Sequence, residues 1–337
     1  MSTQQKRYDY LIVGAGMAGL TAAHELRARG HAPLLIDKGR GVGGRLATRW
    51  RETPGGVRAW YDHGAQFFTV RSPLFRERVA AWQQAGLVNE WSRGFADGQG
   101  RPQADGHPRY VTRGGMNALA RELAAPLDVR LNTQVASIGS GISGEKGWEI
   151  TLTTGERIEA GALILTPPVP QSLALLEAGG TSLPAAAQAA LTAIEYDPCF
   201  AVLVELEEPS RLPAPGALQL RGEPIAWIGD NHRKGISPDA FTVTIHAGPD
   251  FTRTHWDAPH EDVAERLLAA AADWLGAGVR TWQVHRWRYS HPVSPYPEAC
   301  LRVDLAGPLV LAGDAFGEPR VEGAFLSGVA AAAALAG

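Results

Sequence analysis

Residues 8–37 read YDYLIVGAGMAGLTAAHELRARGHAPLLID. An apolar run rich in β-branched residues comes first, then the segment GAGMAG (residues 14–19), and then apolar side chains at helical spacing as far as Gly30. A second apolar run ends at Asp37. This order predicts a strand, a glycine turn, a helix and a second strand, which together open an α/β fold with a parallel, Rossmann-like sheet.

The segment GAGMAG fits the dinucleotide-binding pattern G-x-G-x-x-G. Glycines at these positions allow a tight turn, the close approach of backbone to a pyrophosphate, and packing of helix against strand. The free N–H groups and the dipole of the following helix favour a phosphate at its N-terminus. Asp37 would accept hydrogen bonds from a ribose 2′-OH and repel a 2′-phosphate, so FAD or NAD is favoured over NADP.

Two further clusters favour FAD. Residues 40–45, RGVGGR, follow Asp37 almost directly, and glycine backbone with guanidinium groups suits a second pass along a pyrophosphate. Near the other end of the chain, Asp314 supplies a carboxylate for a ribityl hydroxyl. A helix opening at residues 321–324 would direct its N-terminus at the flavin N1 and C2 carbonyl, where negative charge develops on reduction.

Composition narrows the class of partner. The chain has 337 residues, and its 32 Lys and Arg against 35 Asp and Glu leave a formal charge of −3, so no one-signed field favours nucleic acid or an anionic membrane. Cys199 and Cys300 form neither a disulfide framework nor a metal pair, which makes a reducing cytoplasm the expected location. The ten histidines show no metal-binding spacing, so no metal site is predicted. We expect a small-molecule substrate.

The chain pattern predicts two domains. Residues 71–90 read as a helix and residues 94–108 as a Gly- and Pro-rich loop, and the prolines at 167–170 suggest a domain crossing. Strands dominate the second half of the chain, together with an amphipathic helix (259–275) that Asp257 could cap. We therefore predict a discontinuous FAD-binding domain and a sheet-based substrate domain, the former from residues 1–75, 109–170 and 301–337 and the latter from residues 76–108 and 171–300.

Motifs along nearly the whole chain resemble the flavin amine oxidase superfamily and, within it, the renalase family. They are Asp37-Lys38 through Gly43-Gly44-Arg45, Asp62-His63-Gly64-Ala65-Gln66-Phe67-Phe68, Gly114-Gly115-Met116, Thr166-Pro167-Pro168, His285-Arg286-Trp287, and Gly313-Asp314 with Arg320-Val321-Glu322-Gly323-Ala324.

The resemblance implies a p-hydroxybenzoate hydroxylase-like topology for the FAD-binding domain and places residues 64–66 beside the isoalloxazine ring. Together with the glycine motifs it predicts the cofactor-binding residues Gly14, Ala15, Gly16, Ala18, Gly19, Asp37, Lys38, Arg40, Gly44, Arg45, Gly64, Ala65, Gln66, Phe67, Val135, Thr166, Asp314, Val321, Glu322 and Ala324.

The chain departs from the amine oxidase pattern in two respects. Residues 314–319, where monoamine oxidases carry the cysteine that tethers the flavin, contain no cysteine, so FAD should be non-covalent. The lysines are Lys6, Lys38, Lys146 and Lys234, and only Lys234 lies in the predicted substrate domain. The flavin-facing lysine usual in amine oxidases is therefore in doubt.

Candidate substrate-positioning residues come from strand alternation. In a strand over 281–289, His285, Trp287 and Tyr289 share one face, and they could sandwich a flat ring. His246, at the end of an apolar strand, could donate to a carboxamide or phosphate, and Trp227 is a further aromatic candidate. The alternative is that these are core aromatics and a structural histidine.

Renalase-like enzymes oxidise dihydronicotinamide dinucleotides that carry the hydride at the wrong ring carbon (2- or 6-dihydro forms) and pass the electrons to O2 as H2O2. The resemblance implies this activity, and hydride transfer to flavin N5 needs positioning residues but no protein acid or base. An amine oxidase is the alternative enzyme. A non-catalytic flavin-binding redox module is the alternative of another class, but residues 171–300 exceed what such a module needs.

Overall fold

A computed structural model describes residues 7–141, 146–220 and 222–336. Residues 1–6, which include Lys6, and residue 337 belong to the predicted FAD-binding domain and lie outside the described ranges. The chain forms two compact units. The first unit consists of Met1–Gly44, Ala120–Glu195 and Pro292–Gly337, and the second unit consists of Arg45–Leu119 and Tyr196–His291.

The elements in chain order are β1 (Arg7–Val13), α1 (Met17–Ala28), β2 (Leu34–Ile36), β3 (Thr48–Glu52), β4 (Arg58–Asp62), α2 (Pro73–Gln84), β5 (Val88–Ala96), β6 (Pro102–Thr112), α3 (Asn117–Ala124), β7 (Asp128–Arg130), β8 (Val135–Ser140), β9 (Trp148–Leu152), β10 (Arg157–Leu165), α4 (Val169–Ala178), α5 (Ala185–Thr192), β11 (Tyr196–Leu206), β12 (Ala217–Gln219), β13 (Ile225–Asp230), β14 (Thr242–Ala247), α6 (Pro249–Thr254), α7 (His260–Leu275), β15 (Val279–Pro292), β16 (Leu301–Asp304), β17 (Pro308–Leu311) and α8 (Val321–Ala336).

The first unit is built on the sheet that residues 8–37 predict. Its strand order is β16-β17-β10-β1-β2-β7, with β17, β10, β1, β2 and β7 running parallel. The central strands are continuous apolar runs because both faces are covered, as parallel sheets require. β8 and β9 form an antiparallel insert, since β8 pairs with β9 and β9 with β10.

The first and last helices pack closely within the first unit. A Cβ atom on Gly328 of α8 would stand 2.4 Å from the carbonyl oxygen of Ala18 in α1, so this contact requires glycine. Leu20 and Ala23 of α1 share a core cluster with Ala331 of α8. Small side chains on both helices thus let the two backbones approach, and the end of the sequence completes the core that its beginning starts.

The second unit is built on a sheet with the order β15-β11-β14-β13-β12-β5-β6. The pairs β11/β14, β13/β14, β12/β13 and β5/β6 are antiparallel, while β12 pairs parallel to β5. Helix α7 covers this sheet with Val263, Leu267 and Ala271, which share one core cluster with strand residues such as Ile245. A separate hairpin joins β3 to β4.

Three local predictions are wrong. The predicted loop 94–108 contains the end of β5 and most of β6. These residues form strands because β5 and β6 pair with each other, although their own sequence has no strand-like apolar pattern. Asp257 does not cap α7, because Pro259 occupies the N-cap position and no side chain caps that end. The prolines at 167–170 begin helix α4 rather than cross between domains, since proline suits the first helical turn.

The contact-defined units also differ from the predicted domain limits. Residues 171–195 fall in the first unit, where the Thr181 hydroxyl donates to the carbonyl oxygen of Ile138 at 2.8 Å. Residues 45–75 and 109–119 fall in the second unit. There the β4 backbone is bound to the second sheet, since the Thr242 hydroxyl donates to the carbonyl oxygen of Trp60 at 2.8 Å.

Within the described ranges, every helix is too short or too polar to cross a membrane.

Candidate functional site

The glycine turn of the first unit requires glycine for steric reasons. Gly14 follows β1 with a φ of +103°, and a Cβ there would stand 2.3 Å from the Thr166 hydroxyl oxygen. A Cβ on Gly19 would stand 2.0 Å from the carbonyl oxygen of Gly14. Both positions let the turn close tightly onto the start of α1.

The second glycine cluster lies directly against this turn. The Gly43 N–H donates to the carbonyl oxygen of Ala15 at 2.8 Å, and Gly16 and Gly43 form an isolated parallel bridge. Gly44 follows with a φ of +55°. The space beside Gly16 is open, because a Cβ there would meet no atom closer than 3.9 Å. The two glycine clusters therefore offer adjacent backbone and an open surface to a pyrophosphate.

Asp37 immediately follows β2 and is held by this backbone. Its Oδ2 accepts the Ala15 N–H at 2.7 Å, and its Oδ1 accepts the Gly39 N–H at 2.6 Å. An ionised carboxylate has about four acceptor positions, so two remain for ribose hydroxyls. Of the neighbouring basic candidates, Lys38 donates from Nζ to Gln171 Oε1 at 3.2 Å, and Arg40 is exposed.

Strand register brings the remaining first-unit candidates to the same edge. Val13, Ile36, Leu165 and Leu311 are in register at the carboxyl ends of β1, β2, β10 and β17. Ligands of open α/β sheets bind at this edge. The candidates that follow these strand ends are Gly14, Asp37, Thr166 and Asp314.

Thr166 and the C-terminal motif are fixed by local hydrogen bonds. The Thr166 hydroxyl donates to the carbonyl oxygen of Val13 at 2.9 Å. The Gly313 N–H donates to the Ser327 hydroxyl of α8 at 2.8 Å, which ties the loop containing Asp314 to that helix. At the start of α8, Glu322 is buried, while Val321 and Ala324 are half-buried. The candidates Val135, at the start of β8, and Ala18, in α1, are also buried.

This edge fits the FAD that the sequence predicts. It combines close-packed glycine backbone, a carboxylate with free acceptor capacity and a helix N-terminus, which match pyrophosphate, ribose and flavin in turn. The other cofactor candidates, Arg45 and residues 64–67, belong to the second unit.

The second unit contains a buried ion pair that the sequence does not predict. The Lys234 ammonium lies 2.6 Å from Asp62 Oδ2, and both side chains are almost fully removed from solvent. The other oxygen, Oδ1, accepts the Thr48 hydroxyl at 2.6 Å and the Met116 N–H at 2.8 Å. Burial lowers the pKa of Lys234, and the adjacent Asp62 carboxylate opposes that shift.

The ion pair also anchors the backbone that holds Gln66. Gln66 Nε2 donates to the carbonyl oxygens of Asp62 at 2.6 Å and Gly64 at 3.2 Å, while Ala65 donates its N–H to the carbonyl oxygen of Arg45 at 2.8 Å. Gln66 is buried, and its Oε1 has no hydrogen-bond partner among the described residues.

Trp287 lies against two histidine rings. It stacks on His63 at a centroid distance of 5.6 Å and contacts His285 edge-on at 4.5 Å, and its Nε1 donates to the carbonyl oxygen of His63 at 2.7 Å. On the opposite face of β15, Arg286 and Arg288 are exposed, as the predicted alternation requires.

The last strand candidate, Tyr289, contacts the Tyr196 ring edge-on at 5.4 Å, and its carbonyl oxygen accepts Arg45 Nη1 at 3.4 Å. The strand alternation therefore places Tyr289 beside a second aromatic residue and not in the contact between Trp287 and the histidines.

The histidines of this region are uncharged at neutral pH. Burial lowers the pKa of His63 to about 3, and the nearby His285 and Arg49 lower it further. Burial likewise lowers the pKa of His246 and of His285 to about 4 each. The rings can therefore donate or accept hydrogen bonds, but they do not supply a positive charge.

Trp227 belongs to a buried aromatic cluster. It pairs in register with His246, and its ring contacts Phe95 edge-on at 4.8 Å, Phe67 at 5.5 Å and Trp91 at 6.2 Å. The sequence patterns did not single out Trp91 or Phe95, because Trp91 lies just beyond the predicted helix and Phe95 lies within the predicted loop. The indole Nε1 atoms of Trp227 and Trp91 and the Nε2 of His246 are buried and lack a hydrogen-bond partner among the described residues.

Solved structures share this fold. Wild-type putrescine oxidase bound to putrescine is 17% identical and covers 97% of this chain and 98% of its own, with a TM-score of 0.69. A double mutant of the same enzyme gives a TM-score of 0.70 at 17% identity, with 98% and 99% covered.

Curated relatives match over shorter stretches. An L-amino-acid oxidase of Notechis scutatus scutatus is 47% identical over 70 residues, which are 20% of this chain and 13% of the relative. A 15-cis-phytoene desaturase of Narcissus pseudonarcissus is 36% identical over 64 residues, which are 19% of this chain and 10% of the relative. The matched stretch thus spans about a sixth or less of these relatives.

Two family models match the chain. Residues 12–81 match the NAD(P)-binding Rossmann-like domain, and residues 83–336, well over half of the chain, match the flavin containing amine oxidoreductase family. The cofactor is therefore FAD. Residues 314–319 contain no cysteine that could tether it. On its fold, its glycine turn and this match, the chain belongs to the flavin containing amine oxidoreductases and is an FAD-dependent oxidoreductase.

Proposed function

We propose that the protein oxidises dihydronicotinamide dinucleotides of the 2- or 6-dihydro form, with O2 as the final electron acceptor. Bound FAD supplies the hydride acceptor at N5 and carries the electrons to oxygen, giving H2O2. The first-unit residues at the strand ends hold the cofactor in this proposal. The second unit orients the substrate ring through Trp287, His246 and Trp227.

The charge state of the second-unit cluster carries the proposal. Asp62, which would otherwise attract a protonated amine, is neutralised by Lys234 at 2.6 Å. His63, His246 and His285 are uncharged at neutral pH because burial lowers their pKa values. The cluster therefore offers aromatic faces and neutral hydrogen-bonding groups, which suit a flat, uncharged dihydropyridine ring better than an alkylammonium.

The same ion pair occupies the lysine that could otherwise serve as the flavin-facing lysine of an amine oxidase. Lys234 was the lysine of the predicted substrate domain that could face a flavin, and its ammonium is bound to Asp62 in the interior of the second unit. Because hydride transfer from a dihydropyridine needs no protein base, the proposed reaction loses nothing by this arrangement.

An amine oxidase is the second candidate. The family match and the shared fold with putrescine oxidase support it, and the aromatic cluster of Phe67, Trp91, Phe95 and Trp227 would accommodate an alkyl chain.

Anaerobic stopped-flow measurement of the visible flavin absorbance separates these functions. The purified yellow protein is mixed with 2- and 6-dihydronicotinamide dinucleotides, ordinary NADH and a panel of amines, putrescine included. We expect rapid bleaching by the isomers and peroxide formation when air is admitted. Bleaching by amines alone would assign the protein to amine oxidation, and a stable yellow protein that nothing bleaches would indicate a non-catalytic flavin module.

A further inference from the structure

We propose that Lys234 is a positioning residue for the substrate in the second unit. Its ammonium holds the carboxylate of Asp62, and through Asp62 it fixes the orientation of Trp287. The inference rests on the proposed function, because it takes Trp287 to be a residue that orients the substrate ring. It gives a role in the reaction to a lysine that the proposed chemistry leaves unused.

Asp62 connects the end of β4 to β3, to the segment before α3 and to the segment after β13. Its Oδ1 accepts hydrogen bonds from the Thr48 hydroxyl and the Met116 N–H. Its Oδ2 lies 2.6 Å from Lys234 Nζ, and its backbone N–H donates to Asn231 Oδ1 at 3.2 Å. The position of the chain at the end of β4 therefore depends on the partners of this one residue.

Trp287 is bound to the residue that follows Asp62. The carbonyl oxygen of His63 accepts the Trp287 Nε1–H at 2.7 Å, and the His63 ring stacks on the indole. A displacement of Asp62 therefore moves the acceptor that orients the indole. Trp287 is half-buried, so part of its ring is open to a ligand, whereas the ion pair itself is closed to solvent.

Lys234 also acts on the other two residues that orient the substrate ring in the proposed function. Its Nζ lies 5.3 Å from the centroid of the Trp91 ring, and that ring contacts Trp227. Burial lowers the pKa of His246, and the charge of Lys234 lowers it further. One buried ammonium thus influences every residue assigned to the substrate ring.

Stability alone does not account for this ion pair, because neutral groups of similar volume often stabilise an interior equally well. The charge of Lys234 has an effect that a neutral side chain lacks, since it holds Asp62 as a carboxylate. Without it, burial favours the protonated carboxyl, and the state of Asp62 changes with pH. The other groups on the carboxylate, from Thr48 and Met116, do not titrate. Lys234 therefore makes the geometry around Trp287 independent of pH.

The test is the pH dependence of flavin bleaching in Lys234→Met holoenzyme, with 6-dihydronicotinamide dinucleotide as the probe. Buried carboxyls titrate as high as about pH 8–9, so Asp62 in this variant is protonated near pH 6 and becomes an unpaired charge above pH 9 or so. We expect the second-order rate constant for bleaching to lie within about threefold of wild type at the lower pH and to fall about tenfold or more at the higher pH. The wild-type profile should stay level.

Matched variants separate the charge from the rest of the cluster. Lys234→Met/Asp62→Asn removes the titrating carboxyl and should show no fall. A fall that persists there would belong to His63 or His246, which lie beside the pair with pKa values of about 3 and about 4, and would overturn the inference. Thr48→Val removes a hydrogen bond to the same carboxylate without removing a charge, so its profile should stay level. If Lys234→Met does not fold, Lys234→Gln repeats the test with a polar side chain.

A spectroscopic measurement distinguishes failure of this inference from failure of the proposed function. In holoenzyme labelled with fluorotryptophan, the fluorine NMR resonance of Trp287 is assigned by its loss in Trp287→Phe. We expect this resonance to move between the two pH values in Lys234→Met, even if no dinucleotide bleaches the flavin. It should stay in place in wild type, in the double variant and in Lys146→Met, at an exposed lysine. A resonance of Lys234→Met that stays at the wild-type position at both pH values would overturn the inference, and so would a level bleaching profile.

Discussion

Lys234 and Asp62 form a buried ion pair, and the fold is expected to be much less stable when either partner is removed. The pair is buried, and its carboxylate is also bound by Thr48 and Met116. Removal of one partner leaves the other as an uncompensated charge in a low-dielectric interior, which is the costly change for such pairs.

Lys234→Met should therefore lower the free energy of unfolding by about 3–5 kcal/mol. The double variant Lys234→Met/Asp62→Asn should recover part of this loss, because it removes the stranded charge. Denaturant unfolding of the holoenzyme measures both, and Lys146→Met, at an exposed lysine, is the control. If the single and double variants were equally unstable, the loss would come from packing and not from charge.

The buried histidines predict a pH dependence of stability. The folded-state pKa values of His63, His246 and His285 lie near 3 to 4, below the unfolded value of about 6.5. Between these values the unfolded chain binds more protons than the folded one, so stability is fully present above about pH 6.5 and falls as the pH drops towards 4.

We expect stability to decrease steadily as the pH falls within that window, because the unfolded chain takes up protons there that the folded chain does not. Melting temperatures measured from pH 4.5 to 8 check this, and His63→Gln should flatten the acid slope. His107→Gln, at an exposed position, should leave the slope as it is in wild type. An unchanged slope in His63→Gln would show that other groups control the acid side.

At the scale of elements, β15 both belongs to the second sheet and carries the proposed substrate-positioning residue Trp287. Its inner face carries His285 and Trp287, and the Trp287 indole is tied to the segment after β4 through the carbonyl oxygen of His63. A ring fixed in this way is oriented before a ligand binds, which lowers the entropic cost of binding.

Trp287→Ala should weaken substrate binding by about tenfold or more. FAD should stay bound, since Gly14, Asp37 and Thr166 lie in the first unit. Steady-state KM and flavin content are the measurements. Arg288→Ala, on the outer face of the same strand, should leave both unchanged. Unchanged kinetics in Trp287→Ala would make Trp287 a residue of the core alone.

Sequence patterns located some elements and missed others for identifiable reasons. β1, α1 and β2 were predictable because burial on both faces and the glycine turn leave a local pattern. β6 was not, since most of its first residues are exposed and it is a strand only through its pairing with β5. The ion pair of Asp62 and Lys234 joins residues far apart in the sequence, so no local pattern around either residue predicts it.

For the molecule as a whole, non-covalent FAD predicts a linkage between cofactor and stability. Acid precipitation of the holoenzyme should release all of the flavin into the supernatant. Adding FAD to apoprotein at about 100 times its dissociation constant should stabilise the fold by about 2.7 kcal/mol, a rise of roughly 4 °C in melting temperature. Flavin that remained with the precipitate would contradict the non-covalent assignment.

The close packing of α8 on α1 affects how the protein is synthesised. The first strand and the glycine turn leave the ribosome well before α8, and Ala18 meets its partner Gly328 only after the 310 residues from position 19 to position 328 have been made. At typical translation rates this delay is roughly 15 seconds to a minute. Until α8 is made, the nascent chain therefore carries a nucleotide-binding unit with an incomplete core, and we expect flavin to bind only after α8 has been synthesised.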